Sequence, residues 1–399
     1  MENVFVARQP IFRRDLSLYG YELLFRSGVS NAANIGDGDS ATSEVIMNTF
    51  TVFGLDDLVG EATAFINLTR RFLVETSPLP LPTRQTVIEI LEDIRIDDEL
   101  IAAVERLKAD GYTIALDDFH YTPDSDPLLH MADIVKLEMS TLNSPDAQNL
   151  IDRLRQFDVK ILAEKIEDYG QLERCRSLGC DYFQGFFLSR PDISATTAIP
   201  TERLAIMELL AKMHDPKADI ADMETVIGRD LSLSYKLLRY INSAFYRRAF
   251  EIRALRQAIM MLGMKELRRW GSIVSLCNIS DKPDELVNLL LIRAKMADLL
   301  AKDMFPDEAD ACFIAGLFSG LDAMLDRPME EILQRLPLAD EIKEALLHRS
   351  GPAGQVLTAV LGYEEADPSG LHLPQLTAEQ VRQHYLAAVH WQQQHRTLF

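Results

Sequence analysis

Nowhere in the 399 residues does an uninterrupted apolar run approach the ~20 residues of a membrane-spanning helix, and the N-terminus lacks a basic stretch leading into an apolar one. No membrane association is expected, and the expected location is the cytoplasm. Positive charge is scarce, with 41 Lys and Arg against 61 Asp and Glu for a net charge of -20. A chain without a basic footprint is not expected to bind nucleic acid directly, and Arg247-Arg248 and Arg268-Arg269 read as solvated helix faces. Cysteine is limited to Cys175, Cys180, Cys277 and Cys312, with no CxxC spacing and no histidines at zinc-ligand intervals. These thiols read as reduced, partly buried apolar residues. Trp270 and Trp391 read as packing or partner-surface residues, and Met260, Met261 and Met264 as packing in a helical core.

What is present is an ordinary globular composition, 47% hydrophobic and 26% charged, in a length that suggests two or three domains. Five short apolar runs in the first half each carry an oxygen ligand or a charged group. They are Tyr21–Arg26 with Glu22, Phe65–Leu68 with Asn67, Val87–Leu91 with Glu89, Ile114–Phe119 with Asp117 and Asp118, and Ile161–Glu164 with Glu164. Such runs suggest buried parallel strands. A buried carboxylate costs several kcal/mol unless paired or metal-bound, so one alone would suit a structural ion pair. Five at similar strand positions point to an oxygen-lined divalent-metal site at the carboxyl ends of barrel strands.

The rhythm changes near residue 190. Before it, strand-like runs alternate with amphipathic stretches such as Asp98 to Ala109 and Ala147 to Phe157, as in an α/β fold. After about Thr201 helical periodicity dominates, with helices expected near 202–214, 219–227, 232–242, 253–261, 264–277, 283–303, 307–324, 328–335, 338–347, 353–362 and 377–395. The polar, proline-containing stretch between reads as a linker, and no repeat of fixed period is visible. Asn242-Ser243 and Arg229-Asp230 read as helix caps.

The blocks Arg8-Gln9-Pro10-Ile11-Phe12, Tyr21-Glu22-Leu23-Leu24-Phe25-Arg26, Ile66-Asn67-Leu68-Thr69, Glu89-Ile90-Leu91-Glu92, Asp117-Asp118-Phe119, Lys136, Ala163-Glu164-Lys165-Ile166-Glu167 and Gln184-Gly185-Phe186-Phe187 resemble, in order, the signature of an EAL domain. That family includes cyclic di-GMP phosphodiesterases. Val226–Asp230, Leu237–Ala244 and Ala258–Gly263 resemble an HDOD domain, and the whole chain resembles the EAL-HDOD signalling proteins of the YuxH-like kind. The resemblance implies an α/β TIM-like barrel over 1–191, a linker over 192–200 and an all-α HDOD domain over 201–399.

It also implies roles. Glu22, Asn67, Glu89 and Asp117 align with the ligands of a first metal and Asp117 with Asp118 serves a second, Mg or Mn being the cations that oxygen shells select. Glu164 aligns with a general base, Lys136 with a lysine that orients water or stabilises charge, and Gln184 with a residue near the nucleophile. Arg26, with Leu24, aligns with the substrate-binding positions, and Glu92, Glu138 and Glu167 with the supporting shell. The partners implied are cyclic di-GMP, signalling proteins and a second copy in a homodimer.

Departures from the family pattern are equally specific. The continuation Asp117-Asp118-Phe119-His120-Tyr121-Thr122-Pro123 lacks the two glycines of the family's DDFGTGYSS and gains a proline, which alters the loop's path. KxD has become Lys136-Leu137-Glu138, the glycine after the base is Lys165, and EAL has become Glu22-Leu23-Leu24. Because a misplaced group costs orders of magnitude in rate, the expectation is a degenerate EAL domain acting as a nucleotide or protein interaction module coupled to the HDOD domain. The alternative is an active metal-dependent phosphodiesterase that converts cyclic di-GMP to the linear dinucleotide. His120 reads as a loop histidine rather than a ligand. In the helical half, Ser319-Gly320 stands where related HD phosphohydrolases carry a His-Asp dyad, so neither cofactor nor catalysis is expected from 201–399.

Overall fold

The computed structural model describes residues 4–27, 55–76, 78–79, 81–189, 201–243, 252–279, 282–364, 373 and 375–395. The expected linker 192–200, Arg247-Arg248 and the loop Asp367–Gly370 lie outside the described residues, as does the side chain of Arg26. By contacts the chain divides into two compact units, Met1–Leu188 with Gly362–Arg382, and Ser189–Leu361 with Gln383–Phe399.

The first unit is a closed eight-stranded barrel in chain order: β1 (Val4–Arg13), β2 (Leu18–Ser27), β3 (Thr63–Leu68), β4 (Thr86–Ile90), β5 (Thr113–Leu116), β6 (Ile134–Glu138), β7 (Lys160–Glu164) and β8 (Tyr182–Gln184). β1 runs antiparallel to both neighbours, and β2 to β8 are parallel in sequence. Ile11, Phe65, Val87, Ala115, Ile134 and Leu162 fill its interior with aliphatic and aromatic bulk, so the barrel is a packed core rather than a pore. β5 ends at Leu116, one residue before the paired aspartates that the sequence pattern places within the strand. The helix over Asp98–Ala109 has the predicted bounds, capped by the Asp97 carboxylate accepting from the Leu100 amide. The predicted helix 147–157 is an α-helix to Leu154 that tightens into a 3-10 turn over Arg155–Phe157. In this unit Tyr363 donates its buried hydroxyl to the Val6 carbonyl at 3.0 Å.

The second unit is helical among its described residues. Gly263, at φ 75°, kinks the element Leu255–Cys277 where the sequence predicts two helices, a conformation open to glycine without steric cost. The predicted helix 307–324 is instead two, Ala309–Phe318 and Leu321–Leu325, interrupted at Ser319-Gly320. Asp230 caps the helix Leu231–Ile241 through the Ser232 and Leu233 amides, while Asn242 closes its far end and clamps Ile252 by both main-chain groups. Trp270 is buried among Met213, Leu237, Tyr240 and Val274. Met264 packs against that core, but Met260 and Met261 are 61% and 41% exposed, because their turn faces away from it.

His214 ends the first helix of this unit, its Nε2 2.8 Å from Ser272 Oγ. Burial, with help from the Arg268 charge, pulls its imidazole down from 6.5 to about 4. A folded-state pKa below the unfolded one means that stability rises with pH from about 4 to 6.5 and is lost as the solution is acidified through that range. An NMR titration of the imidazole is expected to show His214 neutral at pH 5.5, and a titration midpoint near 6.5 would contradict the burial argument.

Candidate functional site

The strand register explains why seven of the predicted residues meet. Asn67 on β3 pairs with Glu89 on β4, Glu138 on β6 with Glu164 on β7, and Glu22 on β2 with Gln9 on β1. Asp117 prolongs β5, its amide bonded to the Ile90 carbonyl at 2.9 Å. Gln184 closes β8 beside Ile11. All lie toward the carboxyl ends of the parallel strands, where barrel chemistry collects.

At the centre of the group is the Lys136 ammonium, 0% exposed. Its Nζ lies 2.6 Å from Glu89 Oε1, 2.6 Å from Asp117 Oδ1, 3.0 Å from Glu164 Oε1 and 3.4 Å from Glu22 Oε2. Two amides complete the set. Asn67 Nδ2 donates to Glu22 Oε1 at 2.9 Å, and Gln184 Nε2 donates to Glu22 Oε2 at 2.7 Å and to Gln9 Oε1 at 2.8 Å. This fixes both amide flips and leaves Asn67 Oδ1 and Gln184 Oε1 buried without a hydrogen-bond partner.

Four carboxylates facing one buried ammonium cannot all ionise cheaply. Burial pushes Glu89 well above the usual carboxylate range, with the charges of Glu22 and Asp117 adding to it. Burial likewise lifts Glu164 to about 8, against the pull of Lys136. Glu22 is also penalised by burial, but Lys136 and its amide donors outweigh that and hold it below its ordinary value. Desolvation would depress Lys136, yet Glu89, Glu22, Glu164 and Asp117 together raise it well above 10.5. The cluster is short of positive charge, and protons make up the difference.

The chemistry of this donor set fits a hard divalent cation: carboxylate and amide oxygens, two of the latter buried and unpartnered. As the side chains stand, the carboxylates close around the lysine, and among the described residues no three acidic, histidine or cysteine groups are arranged around a point that a metal would take. Glu22, Asn67, Glu89 and Asp117 are the residues placed to hold one.

Other predicted residues lie elsewhere. Asp118 stands at φ 40°, its carbonyl bonded by His120 Nδ1 at 2.9 Å, and it is not among the carboxylates around Lys136. Glu92 is exposed in the turn after β4, and the exposed Glu167 donates its amide to Gln171 Oε1 at 2.8 Å. Leu24 is half-buried on β2. Glu138 accepts from Ser140 Oγ at 3.1 Å and forms an ion pair with Lys165. Sequence reasoning assigned no role to Gln9; its place in the block Arg8-Gln9-Pro10-Ile11-Phe12 was the available signal, and the structure sets it opposite Glu22. The approach of Gly185 to Ile166 binds the β7 and β8 ends together, since a Cβ at Gly185 would lie 2.1 Å from the Ile166 carbonyl oxygen.

Comparison with known proteins adds the lineage. The EAL domain family model matches residues 58–191 and the HDOD domain model matches residues 199–344. The cyclic di-GMP phosphodiesterase CdgJ of Vibrio cholerae is 37% identical over 98% of this chain and 93% of its own length. The chain belongs to the EAL-HDOD family. YuxH of Bacillus subtilis, an uncharacterised protein, is 35% identical over 98% of both chains. Among solved structures, a manganese and cyclic di-GMP complex of Klebsiella pneumoniae BlrP1 is 21% identical over 46% of this chain and 55% of that one, with a TM-score of 0.40. In this EAL-HDOD protein Arg293 Nη1 donates to Ser319 Oγ at 3.2 Å, at the break between the helices Ala309–Phe318 and Leu321–Leu325. No described helix is long and apolar enough to cross a membrane.

Proposed function

We propose that this EAL-HDOD protein is a cyclic di-GMP signalling protein whose barrel hydrolyses cyclic di-GMP to the linear dinucleotide with Mg²⁺ or Mn²⁺, the HDOD unit serving as its regulatory partner. As part of this proposal the domain limits are those expected from sequence, a barrel domain over 1–191, a linker over 192–200 and an HDOD domain over 201–399, with Gly362–Arg382 returning to the barrel's compact unit. The observation that carries the reading is the convergence of Glu22, Glu89, Asp117 and Glu164 on Lys136 with two buried, unpartnered amide oxygens beside them. The full-length likeness to a relative named as a cyclic di-GMP phosphodiesterase supports it.

Glu22, Asn67, Glu89 and Asp117 would hold the divalent cation, which when bound would supply Lewis acidity toward a phosphodiester and lower the pKa of water. The chain's own groups do the rest. Glu164, at the end of β7 with its carboxylate 3.0 Å from Lys136 Nζ, is the group placed to take a proton from the attacking water in its ionised form and return it. Lys136 keeps its charge at any working pH and stabilises negative charge that develops beside it. Gln184 and Asn67 hold Glu22 in one orientation.

A second reading, binding without turnover, is favoured by Asp118, whose carboxylate stands apart from the cluster, and by the proline-bearing loop that follows it. Release of linear dinucleotide by the purified full-length protein with Mn²⁺ separates the two. Turnover is expected, reduced by Glu22→Ala by more than about a hundredfold, the upper range for losing a mere support of a ligand. Tight binding with no Glu22-dependent release would leave the second reading standing.

A further inference from the structure

Lys165 is an unusual residue for its backbone. It stands at φ 57°, immediately after Glu164, in the left-handed region that costs a non-glycine residue roughly 1 kcal/mol. The conformation is held in place: the next amide, Ile166, donates to the Gln184 carbonyl at 3.1 Å, and the Ile166 carbonyl accepts from Phe187 at 3.2 Å. Strain of this kind persists where surrounding structure enforces it, and it concentrates at functional sites. The side chain is 68% exposed and reaches across to Glu138, the register partner of Glu164 on the neighbouring strand. Glu138 is itself fixed by Ser140.

The second observation concerns charge. Lys136 is fully buried and already within ion-pairing range of four carboxylates, so its charge is directed into the cluster rather than towards the rim. Lys165 is the opposite case, a cation at the same strand end, open to solvent and tethered to a single carboxylate.

We infer that Lys165 is a ligand-anchoring residue at the rim of the barrel site, its ammonium exchanging Glu138 for a phosphate oxygen of the bound cyclic dinucleotide. This rests on the proposed function and adds the group that admits an anion to an acidic site. Glu138 holds the ammonium in place until the ligand arrives, so the two departures from the family pattern act as one device. No covalent step is involved.

The test is calorimetric titration of the full-length protein with cyclic di-GMP in Ca²⁺, at two salt concentrations, for the parent, Lys165→Gln, Lys165→Arg and Lys165→Gly. Lys165→Gln is expected to weaken binding about tenfold, equal to about 1.4 kcal/mol, and to lessen its salt dependence; Lys165→Arg is expected to restore both. Lys165→Gly relieves the backbone and is expected to keep or raise the Tm while binding as weakly as Lys165→Gln, a split that a structural ion pair would not give. In turnover assays the loss falls on KM rather than kcat. Equal affinity and equal salt dependence in the parent and Lys165→Gln overturn the inference while leaving the proposed function intact. No binding by the parent in Ca²⁺ or Mn²⁺ overturns both.

Discussion

Replacing Lys136 with methionine is expected to destabilise the metal-free barrel unit by about 3–5 kcal/mol at pH 8, the cost of removing one partner from a buried ionic cluster. The mechanism is repulsion among Glu22, Glu89, Asp117 and Glu164, whose oxygens all lie within 3.4 Å of the ammonium that would be lost. Methionine fills most of the volume, so the effect reports charge more than a cavity. Differential scanning calorimetry is expected to show a Tm lower by roughly 10 °C. Saturating Mn²⁺ is expected to recover much of it, because a cation held by the same oxygens replaces the missing charge. A Tm unchanged by the substitution in metal-free buffer would show that the carboxylates do not depend on the lysine.

The second large effect is a pH dependence of opposite sign with and without a divalent cation. In metal-free protein Glu164 carries a folded pKa of about 8 against 4.5 unfolded, and Glu89 also lies well above 4.5. The folded state therefore holds protons that the unfolded chain has released, and stability falls as pH rises through that window. Glu22, with its lowered pKa, has its contribution fully present above 4.5 and loses it only on acidification. Lys136, raised well above 10.5, is charged in both states throughout. His214 and His395, both lowered from 6.5, oppose the trend below that value, so the interval from 6.5 to 8 lies above their contribution. Across that interval metal-free stability is expected to fall, as Glu164 gives up its extra proton towards about pH 8 and the raised Glu89 pulls in the same direction. Saturating Mn²⁺, which competes with protons for the same oxygens, is expected to turn the slope positive. Urea unfolding at pH 6.5 and 8.0, with and without Mn²⁺, measures both slopes; a metal-free stability that rises across the interval would refute the proton-sharing account.

The barrel was legible because buried carboxylates at the ends of apolar runs are costly and therefore informative, and the register places Glu22, Asn67, Glu89, Asp117, Lys136, Glu164 and Gln184 together. What sequence could not supply was the arrangement within the cluster. Lys136 read as a lysine that orients water or stabilises charge, yet its ammonium is where four carboxylates find their counter-charge, a consequence of three-dimensional proximity that spacing along the chain does not encode. Two departures that read as separate losses, Glu138 and Lys165, are one ion pair, because β6 and β7 bring positions 138 and 164 side by side. Met260 and Met261 misled for a simpler reason: methionine fits both a core and a surface, and it is Ala258 and Ile259, on the other side of the same helix, that enter the core.

The hydroxyl of Tyr363 reaches the Val6 carbonyl across 357 positions of chain. A fragment ending at residue 191 would therefore expose the first strand's carbonyl and the apolar seat of a fully buried ring, and is expected to be less soluble and to melt earlier than the intact chain. For this protein, dissection by sequence match alone would cut through a tie between distant stretches of the polypeptide, and any property missing from such a fragment would say more about the cut than about the chain.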